Sequence, residues 1–172
     1  MRHKPRIAII GPGRLGQTLL RALLARRERV VAVGARKRGA AVKLRAPIDD
    51  DLARVAQSAD IVLITVRDDD IAAVVRQIAG GSPSLRRCAV MHCSGVLSSK
   101  ELAPLRELGA GIGSFHPLQT FVLPPAPPSI FHRNLAHTVI SGRIGFCLSV
   151  NIEELNLRHA IFQLPEALVN PA

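Results

Sequence analysis

The sequence predicts an α/β protein: an open, doubly wound parallel sheet with strand order 3-2-1-4-5-6, followed by a short, poorly defined C-terminal segment. Three observations predict it. Up to residue 121, short apolar runs alternate with stretches of helical period, the pattern of buried strands joined by crossover helices. The first apolar run, "IAII" at residues 7–10, leads straight into Gly11, Gly13 and Gly16, spaced G-x-G-x-x-G. The 172 residues, 48% of them hydrophobic, suit one well-filled core with little room for a full second one.

Each element follows from its periodicity. Residues 7–10 read as the first strand. Leu15, Leu19, Ala22 and Leu23 recur at helical spacing, giving a helix with one apolar face, and Arg26, Arg27 and Arg29 follow as cations suited to its C-terminus. Residues 30–33 form the second strand, 40–44 a short helix and 46–48 a weak third strand. Residues 49–51, all Asp, open a helix that turns Leu52 and Val55 inward. The apolar, β-branched run at 61–66 is a buried central strand. Asp68, Asp69 and Asp70 cap the next helix, whose core residues are Ile71, Val74, Val75 and Ile78. A metal role for these three acids is the weaker reading. Residues 88–93 give the fifth strand, Leu102, Leu105 and Leu108 lie on a helix, and 111–115 read as a sixth strand at the sheet edge.

The texture changes after Phe121. The stretch "VLPPAPPSIF" holds four prolines in ten residues, as in a linker or stiff surface segment. Residues 1–121 therefore read as the domain, and 122–172 as a proline-rich linker with a short C-terminal segment. The best helix candidate there is 152–164.

Charge and cysteine usage narrow the function. The net charge of +10 is concentrated: residues 1–45 carry a balance of +12 and the rest −2. A basic region draws nucleic acid or a small polyphosphate. With no Trp or Tyr and only five Phe, base-stacking platforms are scarce, which counts against nucleic acid. Three cysteines, Cys88, Cys93 and Cys147, make no disulfide framework. Cys93 and His92 would point to opposite faces of a strand, so zinc is not expected and the thiols read as buried and structural. The basic start is followed by only four apolar residues, too few for a signal peptide or a membrane span, so a cytoplasmic protein is expected.

A strand, then G-x-G-x-x-G, then a helix, is the context of a dinucleotide cradle. Gly11 permits the tight turn, Gly13 lets a pyrophosphate approach the backbone, and Gly16 lets helix and strand pack closely. Pro12 fills the variable position, Arg14 adds a cation, and Leu15 begins the helix whose N–H groups and dipole favour phosphate. An acid about 20 residues beyond the glycines would select NAD. Here the region reads Gly34-Ala35-Arg36-Lys37-Arg38, with no acid. Arg36, Lys37 and Arg38 would meet the 2′-phosphate of NADP, so NADP is the expected cofactor. A structural turn and a solvated basic loop are the plainer alternatives.

With these residues in hand, the chain resembles the Rossmann-like domain of NADP oxidoreductases related to deazaflavin-dependent NADP reductases and to the 6-phosphogluconate dehydrogenase superfamily. It is similar above all to bacterial proteins that join this domain to a helical domain of unknown function. Three segments carry the resemblance: "IAIIGPGRLGQTL", "ADIVLITVRDDDIAAV" and "MHCSGVLSSKELAPLRELGAGIGSFHPLQTF". Where the family commonly has Pro-Asp, this chain has Arg67-Asp68. The resemblance implies that Thr65, Val66 and Arg67 line the cofactor and that Ser94 and Gly95 lie at the same rim. His92 and His116 are the candidate acid–base groups there, and Pro117 keeps His116 out of a helix. His116 and Ser94 are the expected catalytic residues.

The resemblance ends after Phe121, where the family continues into a helical domain that closes the site and commonly dimerises. A truncated or diverged helical domain is expected, and a homodimer could supply the missing wall. The leading expectation is an NADP-dependent oxidoreductase, or its cofactor-binding domain, acting on an unidentified small molecule. A non-catalytic NADP sensor is the alternative, and a nucleic-acid module the third.

Overall fold

The computed structural model describes residues 4–35, 46–117 and 138–142. Its strands are β1 (Arg6–Ile10), β2 (Arg29–Gly34), β3 (Ile48–Asp49), β4 (Ile61–Ile64), β5 (Ala89–His92), β6 (Gly111–Pro117) and β7 (Thr138–Gly142). The helices are α1 (Arg14–Ala25), α2 (Leu52–Gln57), α3 (Asp68–Gly80) and α4 (Ala103–Glu107), the last preceded by a 3₁₀ turn over Ser99–Leu102. The sheet order is β3-β2-β1-β4-β5-β6-β7. Strands β1 to β6 are parallel, in the expected order 3-2-1-4-5-6, and β7 runs antiparallel to β6.

Alternation along the central strands divides the core into two layers. Ile7 and Ile9 of β1 face α1, with Leu19, Leu20, Leu23, Val33, Leu63, Met91 and Phe115. Ala8 and Ile10 face the other way, toward α2, α3 and α4, with Leu52, Val55, Val62, Ile71, Val74, Ile78, Leu102 and Leu105. Strands covered on both faces must be apolar at every position, and β4 and β5 are buried throughout. That is why a periodicity of two is absent from runs that are nonetheless strands.

Several boundaries differ from the sequence reading, each for a local reason. Helix α1 ends at Ala25, and Arg27 turns the chain with φ 56, so Arg29 enters β2 instead of closing the helix. Strand β3 is Ile48–Asp49, because pairing with Val33 and Gly34 selects those two residues. Strand β4 stops at Ile64, and Thr65 and Val66 lie beyond it. Arg67 is the N-cap of α3, without a side-chain bond, so Asp68, Asp69 and Asp70 occupy the first turn. There they favour the helix dipole rather than cap it. Strand β6 is not the edge, since Gly113 to Pro117 pair with β7. The periodicity that marked Leu102, Leu105 and Leu108 spans a 3₁₀ turn and a short helix. The expected helices at 40–44 and 152–164, the proline-rich stretch and Cys147 lie outside the described residues. Among the described residues, no helix is long and apolar enough to cross a membrane.

Candidate functional site

The carboxyl ends of the parallel strands form one rim, and the turn from β1 into α1 sits near its middle. Gly11 has φ +97, a conformation that suits glycine and disfavours other residues. A Cβ there would lie 2.5 Å from Val66 Cγ1 and 2.9 Å from Val66 N. A Cβ on Gly16 would run into the carbonyl oxygen of Gly11 and would lie 2.6 Å from Thr65 Oγ1. Gly13 is the opposite case: a Cβ there meets nothing within 4 Å. Two glycines thus make the turn compact, and the third leaves open backbone at the start of α1.

The turn is held from beneath. The Thr65 hydroxyl lies 2.6 Å from the carbonyl of Gly11 and 3.2 Å from that of Ile10. The Gln17 side chain donates to the carbonyl of Pro12 at 2.9 Å. Gly11 N donates to Gly34 O at 2.9 Å, tying the turn to the end of β2. Gly13 is the N-cap of α1, with no side-chain cap and no acid in the first turn. The first N–H groups of a helix have no intrahelical acceptor, so this end is free to receive an anion. Arg14 is exposed beside it, and Leu15 packs partly against the α1 layer.

This geometry fits the pyrophosphate of a dinucleotide: crowded where the turn must close, open where phosphate must approach. It also refines the roles expected from sequence. Thr65 and Val66 support the turn from below, through a hydroxyl bond and a methyl contact. Arg67 reaches outward, with its side chain 85% exposed and 3.9 Å from Asp69. Arg36, Lys37 and Arg38 lie outside the described residues.

A second group of residues gathers after β5 and β6. His92 is fully buried. Its Nε2 meets Ser98 O at 3.0 Å, and its Nδ1 accepts from Ser94 N at 3.3 Å. Both ring nitrogens serve the loop, so His92 takes the structural role. The Ser94 hydroxyl oxygen accepts from Val96 N at 3.1 Å and Leu97 N at 3.0 Å, which shapes the same loop. His116, near the end of β6, is half-buried, with Nδ1 3.3 Å from Cys93 O. Donation from Nδ1 to that carbonyl leaves Nε2 as the basic nitrogen of the neutral ring. Gly95 lies against this ring: a Cβ at that position would be 2.6 Å from both Nε2 and Cε1. Sequence spacing did not single out Gly95 as the seat of an imidazole, since the contact joins residues 95 and 116.

Among the described residues, the cysteines are buried structural thiols. Cys88 and Cys93 are free and buried, and burial pushes both thiols up to about 12.

The fold recurs in solved structures. A Bacteroides fragilis protein assigned as an NADP oxidoreductase superposes with a TM-score of 0.63 at 24% identity, over 81% of this chain and 52% of its own. An imine reductase from Streptomyces aurantiacus gives 0.65 at 16% identity, over 96% of this chain and 53% of its own. An imine reductase from Myxococcus stipitatus, in complex with NADP+, gives 0.63 at 18% identity, over 95% and 52%. At these identities the likeness establishes the fold, and this chain spans about half the length of each structure. No curated protein sequence matches the chain. The sequence profile of the family described as "NADP oxidoreductase coenzyme F420-dependent" matches residues 6–91, half of the chain, from β1 to the third residue of β5. The turn, the strand order and that match agree: this chain belongs to the coenzyme F420-dependent NADP oxidoreductase family.

Proposed function

We propose that this chain is the NADP-binding domain of an oxidoreductase that transfers hydride between the nicotinamide and a small molecule. The open backbone at Gly13, between two glycines that admit no side chain, carries the reading. Gly11, Pro12, Gly13, Arg14, Leu15 and Gly16 hold the pyrophosphate. Arg36, Lys37 and Arg38 receive the 2′-phosphate. Thr65 and Val66 back the turn, and Arg67 offers a cation at the rim. When bound, the dinucleotide would supply a hydride to the substrate in its reduced form or accept one from it in its oxidised form. His116 holds or releases a proton at Nε2, with its ring steadied by Cys93 O and Gly95. Ser94, itself buried, shapes the loop beside it, and its catalytic role in this reading requires its hydroxyl proton to reach a substrate oxygen or nitrogen.

A cytoplasmic location and a homodimer that covers the rim belong to the same reading. The similar structures are about twice as long as the span this chain matches, so the opposing wall of the substrate site is assigned to chain beyond residue 121 or to a partner.

The test is titration with NADPH and NADH, followed by nicotinamide fluorescence in a chain that has no Trp. NADPH is expected to bind more tightly. Arg36→Ala should weaken NADPH by about 1.5–3 kcal/mol, as for a charge-assisted bond to phosphate, and leave NADH nearly unchanged. Equal affinities in the unaltered protein would refute the preference.

A further inference from the structure

The sequence places no acid just beyond β2, but the fold brings one there. Asp49 is the last residue of β3 and pairs with Gly34, the last residue of β2. Ala35 N donates to Asp49 O at 3.0 Å, so the two strand ends stay together. In this fold the end of β2 is where the adenosine ribose is read, and an acid there selects the unphosphorylated 2′-OH. Asp49 would therefore oppose a 2′-phosphate.

Both of its carboxylate oxygens are engaged. Arg54, in the first turn of α2, donates from Nε to Oδ2 at 2.7 Å and from Nη2 to Oδ1 at 2.9 Å. Asp51 N donates to Oδ1 at 3.0 Å. The Arg54 fork also lies 3.8 Å from the Asp51 carboxylate. The Arg54 side chain is 65% exposed and that of Asp49 29%, so the pair sits at the surface where a ligand can sense it. Arg54 holds the Asp49 carboxyl down to about 2, and the carboxylate stays ionised across the working range.

We propose that Arg54 determines nucleotide preference by screening Asp49, so that the acid brought to the end of β2 neither repels the 2′-phosphate of NADPH nor reaches the 2′-OH of NADH. This rests on the cofactor reading above. It adds a specificity element in a different part of the chain from Arg36, Lys37 and Arg38. The effect is electrostatic, so it weakens as salt rises.

The experiment compares the unaltered chain, Arg54→Gln, Asp49→Asn and the double variant, each titrated with NADPH and NADH at low and high salt. Arg54→Gln exposes an ionised acid and should reduce the NADPH-over-NADH preference about three- to tenfold, the scale of a partly screened unit charge. Asp49→Asn should not reduce it. The double variant lacks the fork but carries no acid at position 49, so it should recover the original preference even if its unfolding temperature falls. Equal weakening of both nucleotides by Arg54→Gln, or an unchanged preference, overturns the proposal and leaves the cofactor reading standing. Failure of the unaltered chain to bind either nucleotide overturns both.

Discussion

Gly13 and Gly16 stand three residues apart and should respond to substitution in opposite ways. A side chain at Gly13 enters open space, and its backbone φ of −76 suits any residue. Gly13→Val should therefore fold with a near-normal unfolding temperature and lose NADPH binding. A side chain at Gly16 collides with the Gly11 carbonyl and Thr65 Oγ1. Gly16→Ala should destabilise the fold itself by about 1–3 kcal/mol, the usual cost of overpacking. Thermal unfolding with and without NADPH separates the two outcomes. A Gly13→Val protein that binds normally would remove the cradle from the account. His116 has its own signature: His116→Ala should leave NADPH affinity intact, because the ring touches the Cys93–Gly95 loop and not the glycine turn.

Among the elements, α2 depends most on its start. It is only six residues long, and Asp51 caps it by accepting from Arg54 N at 3.1 Å. Asp51→Ala should cost about 1 kcal/mol, typical for a lost N-cap, read as a lower urea midpoint. Acid acts on the neighbouring pair. The Asp49 carboxyl is held at about 2, against an ordinary 3.8, chiefly by its hydrogen bonds to Arg54. A depressed folded value stabilises the native state above pH ~4, and that contribution is lost as pH falls through 2. Because the pair is partly exposed, solvent screening keeps the contribution small. Asp49→Asn should lower stability at pH 5 and match the unaltered protein near pH 2. A constant difference across that range would show that the ion pair is not what Asp49 contributes.

On the scale of the whole molecule, cofactor binding and turnover make different demands. The glycine turn, the end of β2 and the start of α1, which the proposed cofactor site uses, lie within the described residues. Binding should appear as a rise in unfolding temperature that grows with NADPH concentration. Turnover demands more, because a hydride must travel between held partners with water kept out. The chain by itself is therefore predicted to bind NADPH and to oxidise it slowly or not at all. Rapid, substrate-specific oxidation by a monomer would refute this, and His116→Ala would then test the proton step.

Local features of the sequence were enough to predict the strands, the two helical layers and the glycine turn, and the fold that they resemble supplied the order β3-β2-β1-β4-β5-β6. The first three depend on signals within a few residues: an apolar run, a period of 3.6, a G-x-G-x-x-G after a strand. What the sequence could not reveal joins residues far apart in the chain. Thr65 was legible as a rim residue, but its bond to Gly11 spans 54 positions. His116 was the expected catalytic residue and His92 the weaker candidate, and the fold gave His92 two backbone partners and His116 a single carbonyl. The sixth strand read as an edge because the segment that pairs with it, β7, begins only at Thr138, beyond a proline-rich stretch. And the region after β2 read as free of acids because Asp49 is fifteen residues past Gly34 in sequence and directly beside it in the sheet. Parallel pairing places the ends of separate strands side by side, so the chemistry of the rim is set by register, which only the tertiary structure decides.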